Sequence, residues 1–268
     1  MRLQTIANEL RKNAILMCHR GKSAHLGTNM SVADIITVLY EKVLRIDPKK
    51  PEAPNRDRLI ISKGHGAAIV YAALAHKGFF PKSWLKTYYK NNGHLAGHVT
   101  KLNVPGVEFS TGALGHGLPF ACGIALAGKR DKKNYRVFTV VSDGELDEGS
   151  NWEAILFAPH YKLDNLTVIV DYNKIQSLDF VKKTLNLEPL KAKLKSFNWA
   201  VREIDGHNHD QILKTLKSVP FKKGRPSFVI AHTTKGKGVS FMENTVKWHY
   251  ANTDEALLAQ ALDELSHQ

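Results

Sequence analysis

Residues 137–173 read VFTVVSDGELDEGSNWEAILFAPHYKLDNLTVIVDYN, and this stretch contains the pattern that decides the fold. Its two ends, 137–141 and 166–171, are short, apolar and rich in β-branched residues, as is typical of strands buried on both faces of a sheet. A helical pattern from about 150 to 161 lies between them. A strand, a helix and a strand in this order predict a parallel pair joined by a right-handed crossover.

The same alternation continues on both sides of this unit. We predict further strands at 58–62, 199–204 and 227–231, with helices from Leu118 and from Asp210. No internal repeat and no low-complexity linker divides the chain. We therefore predict one α/β domain over residues 1–268, with a doubly wound, mainly parallel sheet that has helices on both faces.

The N-terminal part contains further helical patterns. Apolar residues at positions 6, 10, 15 and 16 predict a first helix, which the polar stretch 19–29 breaks. Ser31 is predicted to cap a second helix that continues to about Val43. An Ala-rich helix should follow residues 64–66 and another should span 82–90. Residues 91–117 contain Gly, His and Pro without a helical period, so a long loop is expected there, and loops of this length usually serve a function.

The composition is basic, with 38 Lys and Arg against 25 Asp and Glu, a formal net charge of +13. With 43% hydrophobic and 24% charged residues, the chain is expected to be globular rather than disordered. A basic excess suits nucleic acid, an anionic membrane face, an acidic partner or phosphorylated small molecules. Residues 174–238 alone have a net charge of +9, which we interpret as a solvated lysine-rich surface that partly faces an acidic partner chain.

The sequence also bears on location. No apolar run approaches the roughly 18–20 residues of a membrane span, and the N-terminal segment is amphipathic with charges inside it. Cys18 and Cys122 fit neither a disulfide framework nor a metal-ligand spacing. We therefore expect a cytoplasmic protein without a secretory signal or a membrane anchor.

Polar residues follow both strands of the central unit. Asp143 and Gly144 follow the first strand, and Asn173 follows the second. In parallel sheets, ligands bind at the carboxyl ends of the strands, and a carboxylate beside an amide oxygen suits a hard cation such as Mg²⁺. The alternative is that Asp143–Gly144 forms a plain turn and Asn173 caps a helix.

Residues 142–176 closely resemble the thiamine-diphosphate-binding motif, which runs from Gly-Asp-Gly to a terminal Asn. More narrowly, the chain resembles the transketolase family over nearly its whole length. Four further segments match that family in order: SAHLGTNMSVADI (23–35), ISKGHGAAIVYAAL (61–74), AGHVTKLNVPGVEFSTGALGHG (96–117) and HTTKGKGVSFMENTVKWHY (232–250). A bare Asp-Gly pair is weak support for such a relationship, whereas five ordered segments are strong support.

The resemblance implies a cofactor and its metal. Thiamine diphosphate would be held with Mg²⁺, or Ca²⁺ or Mn²⁺, by Asp143, Asn173 and the carbonyl of Ile175. The implied cofactor-binding residues are His65, Gly112, Ala113, Leu114, Asp143, Gly144, Glu145, Asn173 and His249. Ser142 replaces the first Gly of the motif, and we expect little effect because that residue ends a strand.

The resemblance also implies that four histidines face the reacting carbons and the diphosphate: His25, His65, His98 and His249. Imidazole titrates near neutral pH, so it suits proton transfer to and from sugar oxygens. We expect His65 and His249 to act mainly on the diphosphate and the intermediate. His25 and His98 should act on the donor's hydroxyl and carbonyl oxygens. His116, where many transketolases have Gln, is a further candidate; for each of these, an ordinary surface or core histidine is the alternative.

Glu148 is similar to an acidic residue that relays protons near the subunit interface of the family. The alternative is that it complements the dipole of the following helix. Ala24 and Leu26 replace the family's Gly and Pro on either side of His25, which bears on where that ring is placed.

In the family, the chain continues into a pyrimidine-binding domain and a C-terminal domain. We therefore expect this chain to be the N-terminal subunit of a split transketolase. A C-terminal subunit would supply the missing domains and complete a symmetric heterotetramer. The expected reaction moves a two-carbon ketol unit from a ketose, or a ketose phosphate, to an aldose.

Two rival functions remain open from the sequence. One is another thiamine diphosphate enzyme, similar to 1-deoxyxylulose-phosphate synthase or to a 2-oxoacid dehydrogenase α subunit; the four histidines and the Lys-Gly-Lys-Gly-Val run favour transketolase. The other is a basic nucleic-acid-binding protein. Such binding needs a concentrated basic patch, often with stacking aromatics, and no such motif is found.

Overall fold

The structure, a computed structural model, describes residues 2–268. Its strands are β1 Arg58–Ile61, β2 Val137–Ser142, β3 Leu166–Tyr172, β4 Ala200–Asp205 and β5 Ser227–His232. Its α-helices are α1 Leu3–Gly21, α2 Leu26–Val38, α3 Ala67–Lys77, α4 Gly117–Arg130, α5 Gly149–His160, α6 Val181–Thr184, α7 Leu190–Ser196, α8 His209–Lys217 and α9 Glu255–Glu264. That residues 1–268 form one domain stays a prediction, and Met1 lies outside the described residues.

The five strands form one sheet in the order β1-β2-β3-β5-β4, and every neighbouring pair is parallel. The predicted unit around 137–173 is confirmed, because β2 and β3 are direct neighbours with α5 between them in the chain. In their register Ser142 lies opposite Asp171. Both strands therefore end at the same edge of the sheet, where residues 143 and 173 follow them.

Alternate residues of each strand point into two separate cores. Phe138 and Val140 of β2 pack in one core with helices α1, α2, α3 and α8. Val137 and Val141 pack in the other with α4, α5 and α7. Because both faces bury apolar side chains under helices, the predicted doubly wound architecture is confirmed.

The second helix differs from the prediction, since α2 begins at Leu26 and Ser31 lies inside it. The Ser31 hydroxyl donates to Asp171 Oδ2 at 2.6 Å rather than capping the helix. Every residue of α2 is buried, so the helix lacks the polar face from which its start could have been located. The chain continues as a π-helical turn over Leu39–Val43.

The predicted helix over 82–90 is a 3₁₀ helix over Lys82–Thr87. It ends before Tyr89, whose φ of 53° is left-handed and cannot continue a right-handed helix. The long loop after it is confirmed, as 91–116 contain no described helix or strand. The loop is tied to the sheet edge by Val99, which donates to Gly64 O at 3.1 Å and accepts from Thr111 N at 2.9 Å.

Among residues 2–268, no helix combines the length and the apolar character that crossing a bilayer requires.

Candidate active site

A cavity of about 230 Å³ opens at the carboxyl edge of the sheet. Its wall includes most of the residues that the sequence singled out: His25, His65, His98, His249, Gly112, Leu114, Asp143, Gly144, Asn173 and Ile175. They come from chain segments up to 224 positions apart along the sequence, and the parallel sheet brings these segments to one edge. The remaining predicted residues, Ala113, Glu145, Glu148 and His116, are not part of this wall.

Asp143 is a buried carboxylate at the end of β2, with 2% of its surface exposed. Oδ1 accepts from Gly144 N–H at 2.8 Å, and Oδ2 accepts from Lys174 N–H. No residue among 2–268 forms an ion pair with it; Lys63, the buried lysine nearby, pairs with Asp171 instead. Burial, and secondarily the charge of Asp171, raise the pKa of Asp143 to about 7. A carboxylate in this position gains most from a bound cation.

Two further oxygens accompany this carboxylate in the wall. Asn173 donates from Nδ2 to Asp171 Oδ2 at 3.4 Å and accepts at Oδ1 from Ile175 N–H at 3.1 Å, which fixes the orientation of the amide. The Ile175 carbonyl is the third oxygen. No group of three His, Cys, Asp or Glu within residues 2–268 is arranged for a metal. One carboxylate, one amide and one carbonyl oxygen nevertheless fit Mg²⁺, Ca²⁺ or Mn²⁺, which prefer oxygen ligands.

The four predicted histidines meet in the cavity. The ring centroid of His25 lies 5.3 Å from that of His65, 6.0 Å from that of His98 and 5.2 Å from that of His249. His25 precedes α2 with a left-handed φ of 73°, and its N–H donates to His249 O at 3.0 Å. Its Nδ1 is buried without a hydrogen-bond partner among the described residues. Native proteins rarely leave such an atom unsatisfied, so this nitrogen is consistent with a residue that has a role in a site.

Burial controls the charge of these rings. It lowers the pKa of His25 to about 4, helped by His98, and that of His249 to about 3, helped by Lys235. Burial likewise lowers the pKa of His65 well below its ordinary value. The three rings are therefore neutral near pH 7, and each offers one donor and one acceptor nitrogen.

We predict that the rings of His25 and His249 do not titrate between pH 8 and pH 5. In the unfolded chain they should titrate near pH 6.5. Between these folded and unfolded values the unfolded chain binds more protons, so each ring lowers the free energy of unfolding as the pH falls from about 6.5. NMR of the ring signals, assigned with His25→Asn and His249→Asn, measures this directly. Titration of either ring near pH 6.5 in the folded chain would contradict the burial argument.

Lys235, the first residue of the Lys-Gly-Lys-Gly-Val run, lies in the cavity wall but was not predicted as a site residue. It is 1% exposed, and its Nζ lies 2.9 Å from Ile175 O and 2.8 Å from His249 Nδ1. Burial lowers its pKa to about 8. Lys235 follows the carboxyl end of β5. The rule that ligands bind at the carboxyl ends of parallel strands, which identified Asp143, could therefore have identified Lys235 as well.

Two predicted acidic residues lie outside the cavity wall. Glu145 is fully buried; it accepts from Gly115 N–H at 2.9 Å, from Ser142 N–H at 3.3 Å and from the Ser62 hydroxyl. It therefore joins the carboxyl ends of β1 and β2 to the loop before α4. Glu148 is exposed where α5 begins.

His116 Nδ1 lies 2.9 Å from Leu114 O just before α4, so this ring bonds its own loop.

Residues 3–267 match the family described as "Transketolase, thiamine diphosphate binding domain". The chain belongs to the transketolase family. The family predicted from the sequence is thereby confirmed.

Two relatives match this transketolase-family chain over nearly their whole length. It is 43% identical over 258 residues to an apulose-4-phosphate transketolase subunit of Actinobacillus succinogenes, covering 96% of this chain and 93% of the relative. It is 38% identical over 266 residues to the 6-deoxy-6-sulfo-D-fructose transketolase subunit of a Clostridium species, covering 99% and 97%.

A solved structure shows the same fold. The transketolase of Campylobacter jejuni superposes on this chain with a TM-score of 0.93 and 32% identity. The match covers 99% of this chain and 43% of that one, so the chain spans less than half of the solved transketolase.

Proposed function

We propose that this chain is the diphosphate-binding subunit of a split transketolase. The observation that carries the proposal is the meeting of Asp143, Asn173 and the Ile175 carbonyl with four histidine rings in one cavity. The relatives support the split arrangement: the chain covers 93–97% of three relatives that are named as transketolase subunits. It covers only 42% of the human protein that is named simply transketolase.

The cavity fits thiamine diphosphate held through a divalent cation. Asp143, Asn173 and the Ile175 carbonyl would hold Mg²⁺, with Ca²⁺ or Mn²⁺ as substitutes. The cofactor itself would contact Gly112, Leu114 and Gly144 together with His65 and His249. When bound, thiamine diphosphate supplies the carbanion and the electron sink that cleavage of a carbon–carbon bond requires.

The histidines would donate hydrogen bonds to the substrate oxygens and exchange protons with them. At His249 the Lys235 ammonium donates to Nδ1, so the neutral ring keeps its proton on Nε2 and acts as a donor. A donor of this kind stabilises negative charge that develops on an oxygen. The His25 ring lies in the cavity wall, and burial keeps it neutral near pH 7 by lowering its pKa to about 4. A neutral imidazole there would exchange a proton with a sugar hydroxyl or carbonyl oxygen.

The partner is proposed to be a C-terminal transketolase subunit that carries the pyrimidine-binding domain, and the two chains to form a heterotetramer. Part of the lysine-rich surface over 174–238 would face the partner subunit, and the rest would be solvated. The substrates would be a ketose or ketose phosphate donor and an aldose acceptor. A cytoplasmic location stays a prediction from the cysteine usage.

Reconstitution tests the proposal. The chain is mixed with a pyrimidine-domain subunit encoded beside it, thiamine diphosphate, Mg²⁺ and glyceraldehyde 3-phosphate as the aldose acceptor. Ketol transfer is measured from fructose 6-phosphate, apulose 4-phosphate and 6-deoxy-6-sulfofructose. We expect transfer from at least one donor by the mixture and none by either chain alone. Transfer by this chain alone, or none from any donor by a complex shown to form, would contradict the proposed function.

A further inference from the structure

Two histidines outside the cavity share one buried carboxylate. Asp34 of α2 accepts from His207 Nδ1 at 2.8 Å and from His209 Nε2 at 2.9 Å. Arg11 Nη2 also donates to it, at 2.6 Å. Burial opposes ionisation, but Arg11 and the two histidines hold the pKa of Asp34 well below its ordinary value. The carboxylate therefore only accepts, and both histidine nitrogens that face it are donors.

His207 makes one contact that His209 does not. Its second nitrogen, Nε2, lies 2.8 Å from the backbone nitrogen of Thr234, which must donate to it. With Nδ1 donating and Nε2 accepting, His207 is held as a single neutral tautomer. It therefore connects the buried carboxylate of α2 to the backbone immediately before Lys235.

The segment over 234–236 is held from its other side as well. Gly236 N–H donates to Gly27 O at 2.9 Å in the first turn of α2. A Cβ atom at Gly27 would lie 3.0 Å from Lys235 Cγ, so the lysine stem packs directly on that turn. From this position the Lys235 ammonium reaches His249 and the Ile175 carbonyl.

We infer that His207 is a positioning residue of the cofactor site, which acts through Thr234 to place the Lys235 ammonium against His249 and the Ile175 carbonyl. His207 is not part of the cavity wall, so it acts through this segment alone. The inference rests on the proposed function, because the cofactor is what the placed groups would contact. His209 completes the hydrogen bonds of Asp34 and has no such role.

Two substitutions separate the contacts of His207. In His207→Asn the side-chain amide nitrogen takes the place of Nδ1, so the bond to Asp34 is kept and nothing reaches Thr234. In His207→Gln the side-chain oxygen takes the place of Nε2, so the acceptor for Thr234 N–H is kept. His209→Asn is the matched control, because His209 bonds the same carboxylate at nearly the same distance and with similar exposure, 14% against 17%.

The first measurement is amide hydrogen exchange at Thr234 in the full chain, which needs no cofactor. The second is the affinity of the complex with its partner subunit for thiamine diphosphate in the presence of Mg²⁺. We expect His207→Asn to lose protection from hydrogen exchange at Thr234 and to weaken the affinity for thiamine diphosphate about tenfold. Substitution of residues that support the direct ligands of a site has effects of this size. His207→Gln and His209→Asn should retain the protection and stay within about twofold in affinity.

Unchanged protection and affinity in His207→Asn would overturn the inference. So would an equal loss of affinity in His207→Asn and His209→Asn, because that result would assign the effect to the Asp34 cluster as a whole. If the unsubstituted complex failed to bind thiamine diphosphate, the proposed function would be wrong. The exchange result at Thr234 would in that case still support or overturn the positioning of the segment.

Discussion

The Asp143→Asn variant is expected to bind thiamine diphosphate at least about 100-fold more weakly than the unsubstituted chain in the presence of Mg²⁺. Removing a group that hydrogen-bonds a metal ligand already weakens metal binding about 10–100-fold. Asp143 is proposed to contact the metal itself, so a larger effect is expected. Asparagine keeps the shape of the side chain, removes the charge, and turns one of the two oxygens that accept from Gly144 N–H and Lys174 N–H into a donor. Titration calorimetry on the complex with the partner subunit measures the effect.

The same variant separates function from stability. Asp143 is 2% exposed and has no ion-pair partner among residues 2–268, so its charge would stabilise a cation rather than the fold. Removing the charge favours the folded state, whereas the amide nitrogen leaves one backbone N–H without its acceptor. We therefore expect Asp143→Asn to unfold without cofactor within a few degrees of the unsubstituted chain. Asp164→Asn, which removes a carboxylate that pairs with Lys129 near the amino end of β3, should leave cofactor affinity unchanged. Metal-dependent binding of undiminished affinity in Asp143→Asn would show that the metal site is wrongly assigned.

The second large effect, a loss of stability, is expected on substitution of Asp171, whose Oδ2 accepts from Asn173 Nδ2. Lys63 Nζ donates to Asp171 Oδ2, and both side chains are fully buried. The hydroxyls of Ser31 and Thr233 also donate to this carboxylate. Asp171→Ala would leave a buried ammonium without its partner, which lowers the free energy of unfolding by about 3–5 kcal/mol. Urea denaturation of the unsubstituted and variant chains provides the comparison.

Two further variants show that the loss at Asp171 comes from the unpaired charge. Lys63→Met combined with Asp171→Leu should recover part of the stability, because it removes the unpaired ammonium while the hydroxyls of Ser31 and Thr233 still lack their acceptor. Lys191→Ala, which breaks an exposed pair with Glu203, should change the free energy of unfolding by less than about 1 kcal/mol. A loss of that small size in Asp171→Ala would refute the network as a stabilising element.

The sheet could be predicted because its strands are short apolar runs separated by helical patterns. Strands β2 and β3 are buried on both faces along their whole length, which makes their sequences continuous rather than alternating. Burial on all sides also made the start of α2 hard to predict. A fully buried helix has no polar face, so Ser31, which lies inside α2, was predicted as its N-cap. The order of β5 and β4 in the sheet followed from no local pattern.

The site was predictable to the extent that its residues follow strands. Asp143 and Asn173 were found by the strand-end rule alone, whereas His98, which lies in a loop without periodicity, was found only through the family resemblance. The groups that support the site were missed because they meet through the tertiary fold. Asp34 and His207 are 173 residues apart, and no local sequence signal indicates their contact.

The central claim is that the carboxyl edge of β2 and β3 binds a divalent cation on thiamine diphosphate. Crystals of the complex with its partner subunit, thiamine diphosphate and Mn²⁺, with data collected at the manganese absorption edge, test it most directly. The predicted result is an anomalous peak in contact with Asp143, Asn173 and the Ile175 carbonyl, with the diphosphate beside it. A peak elsewhere, or a cofactor bound away from this edge, would contradict the account.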